Sequence, residues 1–259
     1  MSFSSFITIL IIGLIGSFIS GMIGIGGSIV KYPLLLYIPP LLGVASFTAH
    51  QVSGISAVQV LFAASAGVLA YRNGGYLHWR LISYMGTAIL MGSFIGAFGA
   101  KFLPEAAINI VYASLATISA CMMFLARKGR ENKPTSEITF NRMISVIAAF
   151  LVGLFAGIVG AAGAFILVPI MLVILRIPTR VTIASSLAIT LISSIGTTIG
   201  KLSTGDVLLG PALIMIWASI VGAPLGAHMS KRINTKWLRL ILAGLILATS
   251  VKIWLDILI

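Results

Sequence analysis

The chain alternates between long apolar runs and short polar breaks, and the runs have the length of membrane crossings. They occupy about 5–24, 44–71, 79–100, 104–126, 143–161, 181–200, 207–230 and 236–255. At a rise of about 1.5 Å per residue, each is long enough, or nearly so, to cross a hydrocarbon core of about 30 Å. Two shorter apolar pieces, 28–42 and 164–177, reach only about 20–23 Å as helices. They are expected either to be re-entrant or to cross as short segments helped by bilayer thinning and buried ends.

Each short piece follows a glycine-rich break. Residues 17–33 read SFISGMIGIGGSIVKYP, and residues 153–169 read GLFAGIVGAAGAFILVP. A glycine in a helix interior costs about 1 kcal/mol and a proline about 3. The pattern therefore predicts a helix that stops, turns on glycines and starts again. At a constant offset of 136, Gly21 matches Gly157, Gly24 matches Gly160, Gly27 matches Gly163 and Pro33 matches Pro169, while Gly26 has become Ala162. Further on, Ala45-Ser46 matches Ala184-Ser185, Gly75 matches Gly205, Gly92 matches Gly222, Gly96 matches Gly226 and Lys101 matches Lys231. The offset slides from 136 to 139 to 130, so the first half carries extra residues between about 54 and 70. The chain reads as a duplication: a first membrane repeat over 1–126, a basic linker over 127–142 and a second membrane repeat over 143–259.

Charge orients these halves. If the two short pieces do not cross, the basic residues divide nine against eight between the two sides. If they cross, ten segments form two sets of five. One side then holds Lys31, Arg72, Arg80, Arg127, Lys128, Arg130, Lys133, Arg142, Arg176, Arg180, Lys231, Arg232, Lys236 and Arg239, fourteen in all. Only Lys101, Lys201 and Lys252 remain opposite. Positive residues collect on the cytoplasmic side. The count favours ten segments, a cytoplasmic linker and both termini outside. An odd number of crossings per half makes the repeats inverted. The expected fold is an all-α, polytopic membrane bundle of two homologous, inverted halves with helices broken at the glycine turns.

Composition agrees. Of 259 residues, 59% are hydrophobic and 8% charged, against about 25% charged in a soluble domain. The net charge of +12 sits between apolar runs, so topology explains it better than nucleic-acid binding does. A single cysteine, Cys121, excludes an internal disulfide and a cysteine metal cluster. Within SLATISACMMFLA it reads as a packing residue. The first residues, MSFSSFITILIIG, lack a basic n-region and are read as a retained helix rather than a signal peptide. Location in the cell membrane, as a multi-pass protein, follows.

Little in the chain supports catalysis. The acids Glu105, Glu131, Glu137, Asp206 and Asp256 all fall in breaks or near segment ends, so no carboxylate relay runs at mid-membrane. There is no HExxH, GxSxG or phosphate-binding loop. The reading is of a protein that is not an enzyme and needs no cofactor or metal.

Small and hydroxyl residues gather instead around the breaks. The first half offers Ser17, Ser20, Ser28, Thr48, His50, Gln51, Ser53, Ser56 and Gln59. The second offers Ser185, Ser186, Thr190, Ser193, Ser194, Thr197 and Thr198. Glycine turns leave backbone N–H groups free, and a helix N-terminus adds about half a positive charge. Together they suit an anion. The segments restarting near Ser28 and Ala164 are expected to converge from opposite sides on one midplane site. The candidate binding residues are Gly21, Gly24, Gly26, Gly27, Ser28, His50, Gln51, Ser53, Gly157, Gly160, Gly163, Thr190 and Ser193. Gly92/Gly96 and Gly222/Gly226 read instead as close helix packing. His50, read as lying inside a span, is either a neutral hydrogen-bonded histidine or the group through which proton coupling would run, since an ordinary imidazole pKa of about 6.5 suits that task. Lys31 is either a topology charge or an anion ligand, and the charge count already accounts for it.

The duplicated GxxGxGGxxxxxP and GxxGxxGxxxxxP segments, with the basic linker between them, resemble the TauE/SafE family, the sulfite exporter or sulfonate permease group. The resemblance covers essentially the whole chain, with Ala162 departing from the glycine-rich form of the second turn. It implies a plasma-membrane transporter of sulfur-containing or organic anions such as sulfite, sulfonates or sulfoacetate. The function expected is secondary transport of a small anion by alternating access. An anion channel and a non-transporting scaffold or assembly factor are the alternatives.

Overall fold

The polar breaks become helix ends with identifiable stops. In the computed structural model, residues 2–23, 28–125, 138, 140–233, 237, 240, 244, 247, 248 and 251–255 are described. Nine helices follow in chain order among them: α1 (Phe3–Ile23), α2 (Ser28–Leu41), α3 (Ala49–Tyr71), α4 (Trp79–Gly99), α5 (Glu105–Leu125), α6 (Arg142–Val159), α7 (Ala164–Val173), α8 (Thr179–Thr204) and α9 (Leu209–Arg232). No strand occurs among the described residues. All but α2 and α7 are long and apolar enough to cross a membrane. The protein is an all-helical, multi-pass membrane bundle.

Local chemistry sets the boundaries. Thr48 opens α3 through a capping box: its hydroxyl accepts from the Gln51 N–H, and the Gln51 side chain accepts from the Thr48 N–H. This is why the apolar run from 44 becomes helical only at Ala49. His78 Nδ1 caps α4 by accepting from Leu81 N–H, and Asn141 caps α6 by accepting from Ile144 N–H. Gly205, at φ +78°, ends α8 in the left-handed conformation that glycine adopts without steric cost.

The helices of one half pack along those of the other, and the pairing is reciprocal. A methyl group on Gly92 or Gly96 of α4 would run into the carbonyls of Phe150 or Leu154 on α6. The matching Gly222 and Gly226 of α9 lie on the carbonyls of Leu14 and Phe18 on α1. Leu14 and Phe18 stand 136 positions before Phe150 and Leu154, the same offset that relates the two glycine turns. Gly157 sits on the Ser93 carbonyl and its counterpart Gly21 on the Ala223 carbonyl. First helix against fourth helix of the opposite half is thus built twice, with backbone approaching backbone where side chains are absent.

These contacts also give direction. The α4–α6 and α1–α9 contacts advance together, so each pair runs parallel. Gly86 meets Ile192, Gly196 meets the Leu90 carbonyl and Gly200 meets Ala97, so α8 also runs parallel to α4. Since α6 and α8 point the same way, α7 must carry the chain back between them. In the first half α2 does the same. Lys31 lies beside Gly16, and the Ser5 hydroxyl donates to the Val44 carbonyl at 2.7 Å. At 14 and 10 residues, α2 and α7 are only about 21 Å and 15 Å long.

At the centre α3 and α8 cross antiparallel: the Thr198 hydroxyl donates to the Ala57 carbonyl at 3.2 Å, and Gly67 faces Leu187. These are the two most enclosed spans, and α8 is the richest in buried hydroxyls among the described helices. The outer helices turn large apolar residues outward, among them Met91, Phe94, Ile95 and Phe98 on α4 and Leu213, Trp217, Ile220 and Leu225 on α9. Such a belt suits lipid. Cys121 corrects its expected packing role: it is exposed on α5, because the buried face of that helix is taken by Tyr112, Ala116, Ser119 and Ala120. Within the last apolar run, Trp254 Nε1 donates to the Thr117 hydroxyl at 2.9 Å and the Lys252 ammonium lies 4.7 Å from the Tyr37 ring centre.

Candidate functional site

The second glycine turn is built on three left-handed residues within four positions, one of them not a glycine. Gly160 (φ +77°), Ala162 (φ +49°) and Gly163 (φ +74°) reverse the chain between α6 and α7. Gly160 ends α6 with its N–H directed to the Ala156 and Gly157 carbonyls. The Gly163 carbonyl then accepts from Ile166 and Leu167 and starts α7. Ser53, in the second turn of α3, holds this reversal in place. The Ser53 hydroxyl donates to the Ile158 carbonyl at 3.1 Å, and any side chain on Gly160 would strike the Ser53 carbonyl. Gly24, Gly26 and Gly27 of the first turn lie outside the described residues, and α2 begins just after them at Ser28.

The two short helices meet through aromatic rings. Tyr32 on α2 stacks on Tyr112 of α5 with centroids 4.7 Å apart, and Tyr112 approaches Phe165 of α7 at 6.1 Å. The Tyr32 hydroxyl donates to Asn109 Oδ1 at 2.8 Å. The beginnings of α2 and α7 therefore both approach the buried ring of Tyr112.

Beside this junction runs a buried polar chain. Gln59 Nε2 donates to the Ser17 hydroxyl at 2.7 Å, and Ser17 shares a 2.9 Å hydrogen bond with the Ser219 hydroxyl. Ser17, Gln59 and Ser219 have no exposed surface. Gln59 is midway along α3, and Ser17 and Ser219 are well inside α1 and α9. Among the described residues, several buried polar atoms here and on α8 have no hydrogen-bond partner: the Ser20, Ser56, Thr190 and Ser193 hydroxyls, Gln59 Oε1 and the Lys31 ammonium. A buried polar group left unpaired costs about 1–3 kcal/mol, so such a concentration calls for a partner.

A second cluster sits at one end of the bundle. The Lys201 ammonium donates to Asp206 Oδ2 at 3.2 Å, Thr204 donates to the same oxygen at 2.9 Å, and His50 Nδ1 stands 3.8 Å from it. His50 Nε2 pairs with the Leu103 carbonyl at 3.1 Å, and Glu105 accepts from the Ala49 N–H at 3.0 Å. Here the structure parts from the reading of the chain. His50 lies in the first turn of α3, not deep in a span, and Gln51 is the partner of Thr48 in that helix's capping box. Ser53 braces the second turn. Gly21 and Gly157 serve helix contact in the manner of Gly92 and Gly96. Thr190 and Ser193 are deep within α8 with unpaired hydroxyls.

Lys31 is buried in a way the sequence did not show. The charge count put it at the cytoplasmic edge, whereas it is fully buried beside Gly16. The signal was present in its position three residues after the start of a helix that follows a glycine turn. Among the described residues no group of His, Cys, Asp and Glu is arranged to hold a metal.

A polytopic helical bundle with two broken segments meeting around buried, unpaired polar groups has the organisation of a membrane transporter. Comparison with known families and proteins gives the specific assignment. The family model described as "Sulfite exporter TauE/SafE" matches residues 9–253, and the chain belongs to that family. It is 25% identical over 256 residues to "Probable membrane transporter protein YunE" of Bacillus subtilis, covering 92% of this chain and 93% of that protein. It is 30% identical over 226 residues to a "Probable membrane transporter protein" of Xylella fastidiosa, covering 86% and 83%. No solved structure matches. The protein is thus a membrane transporter and not an enzyme.

Proposed function

We propose that this transporter is a secondary carrier of a small anion, of the sulfur oxyanion or organosulfonate class named by its family, working by alternating access between two inverted halves. The observation that carries the reading is the twofold reciprocity of the packing. α1 lies along α9 as α6 lies along α4, through residues related by the offsets of the duplication. A bundle made of two interlocked equivalents has two arrangements of similar energy, one open to each side, which alternating access requires. The five segments read from the sequence in each half, the last of them the apolar run 236–255, support the inverted arrangement, and the buried polar groups between α1, α2, α3 and α8 support a central site. The cluster of His50, Lys201 and Asp206 is read as a closure of one entrance, which makes it a less central place for proton coupling than the sequence suggested.

The test is uptake of radiolabelled sulfite, taurine and sulfoacetate by proteoliposomes holding the full chain. Saturable uptake that is accelerated by unlabelled anion on the opposite side supports a carrier. Unsaturable flux with single-channel currents would replace it by a channel, and absence of flux for the whole panel would leave the scaffold reading.

A further inference from the structure

The Lys31 side chain is fully buried, and its ammonium has no hydrogen-bond partner among the described residues. A charged lysine away from water is costly unless it is paired. The described acids are committed elsewhere: Glu105 caps α3 through the Ala49 N–H, and Asp206 binds Lys201 and Thr204 at the end of the bundle. Lys31 belongs to the first turn of α2, where the helix adds about half a positive charge. Its stem lies against Gly16 of α1, where a Cβ would run into it. One turn further on the same face is Ser20, whose buried hydroxyl is also unpaired. Ser17, next to Gly16, ties this face to Gln59 of α3, and one turn before Gln59 the Ser56 hydroxyl is likewise buried and unpaired. The equivalent of Lys31 in the second half is Leu167, fully buried, so the charge is present once and off the symmetry of the repeats.

We propose, resting on the reading above, that the Lys31 ammonium is the cationic ligand of the transported anion, with the Ser20 and Ser56 hydroxyls as neighbouring donors. The arrangement supplies hydrogen-bond donors and roughly one and a half positive charges. It therefore takes a ligand that only accepts hydrogen bonds and carries one or two negative charges: a sulfite, sulfonate or carboxylate head group. A neutral sulfone of the same shape is refused. The site is asymmetric between the halves, so the anion moves with α2 and not equally with α7.

Thermal unfolding of the purified full-length protein in detergent, with methanesulfonate, sulfite or acetate as the anion and dimethyl sulfone as the neutral control, tests this. The wild type is stabilised by at least one anion and not by the sulfone. Lys31→Met removes a buried polar group that has no hydrogen-bond partner while keeping the bulk, so its unfolding temperature without ligand rises, and its anion-dependent shift vanishes. Lys31→Arg keeps a shift. In proteoliposomes, Lys31→Met weakens the apparent affinity of uptake on the order of 10- to 100-fold, as loss of a charge-assisted hydrogen bond implies. An anion-dependent shift in Lys31→Met equal to that of the wild type overturns the assignment and leaves the transporter reading standing. A Lys31→Met protein that is less stable than wild type without ligand overturns it too, since the lysine is then structural. Wild-type uptake of these anions without any thermal shift overturns the Lys31 site alone, whereas neither uptake nor shift overturns the anion reading together with the site.

Discussion

The Ser119 hydroxyl donates a 2.7 Å hydrogen bond to the carbonyl of Phe165, the carbonyl that Pro169 leaves without its helical partner four residues on. Proline has no N–H to offer, and in a membrane the freed carbonyl must be satisfied from a neighbouring helix. Ser119 of α5 supplies that donor and so ties the short α7 to a full-length span. Ser119→Ala leaves a buried carbonyl unpaired, and a loss of about 1–3 kcal/mol is expected. Thermal unfolding in detergent measures it, with Thr117→Ala as a comparison on the same helix. An unchanged unfolding temperature would show that α7 does not depend on this bond.

The reciprocal glycine contacts make a paired prediction. Gly92→Val and Gly222→Val, or Gly96→Val and Gly226→Val, should lower folded yield to similar extents, because each pair meets equivalent backbone on α6 and α1. Overpacking of this kind costs about 1–3 kcal/mol at least. Size-exclusion profiles after detergent extraction read the result, and a large asymmetry between partners would show that the two crossings are not energetically equivalent.

The second turn separates strain from space. Ala162 is held at φ +49° and is fully buried. Ala162→Gly relieves about 1 kcal/mol of left-handed strain but gives up a buried methyl worth about 0.8 kcal/mol, so near-neutral stability and retained uptake are expected. Gly160→Val adds a β-branched residue at φ +77° against the Ser53 carbonyl and should abolish uptake. Equal tolerance of both changes would mean that the turn is free to rearrange.

Much of the fold was legible because a membrane enforces a strong contrast. The apolar runs end where water begins, so α4, α5 and α6 fall within a residue or two of the expected bounds. The breaks at Gly160 and Gly163 were legible because three left-handed residues need glycine, and Ala162 shows how far that need can be relaxed. The site was less legible. A glycine in an apolar run signals a turn or a close helix contact equally well, and at Gly21 and Gly157 it is the contact. Gln51 reads from the sequence as a candidate binding residue, and the structure gives it a further role, with Thr48 three positions before it, in a capping box. A lone lysine beside a glycine turn has the same sequence signature whether exposed or buried, and for Lys31 only its packing against Gly16 shows that it is buried.

At the end of the bundle, Lys201 is fully buried and Asp206 supplies its counter-charge. Asp206→Asn strands that ammonium, and removing one partner of a buried ion pair typically costs about 3–5 kcal/mol. Lys201→Met in the same chain removes the stranded charge and should restore most of the loss. Thermal unfolding of the two single variants and the double variant gives the coupling directly. Additive losses would show that the pair is not a unit.

The direction of the halves can be settled by labelling. The parallel course of α4, α6 and α8 requires a reversal through α7, and the contact of Ser5 with Val44 requires one through α2. If both reversals cross the bilayer, the linker and the α8–α9 connection face opposite sides. The basic residues then divide with the linker on the cytoplasmic face. Moving Lys31 into the interior changes that division only from fourteen against three to thirteen against three (14 − 1 = 13). Single cysteines at Thr135 and Ser203, placed in a Cys121→Ser background, report the two faces to a membrane-impermeant maleimide. Ser203 should label in intact cells and Thr135 only after permeabilisation. Labelling of both from one side would mean that the short helices return without crossing, and the inverted arrangement of the two halves would have to be abandoned.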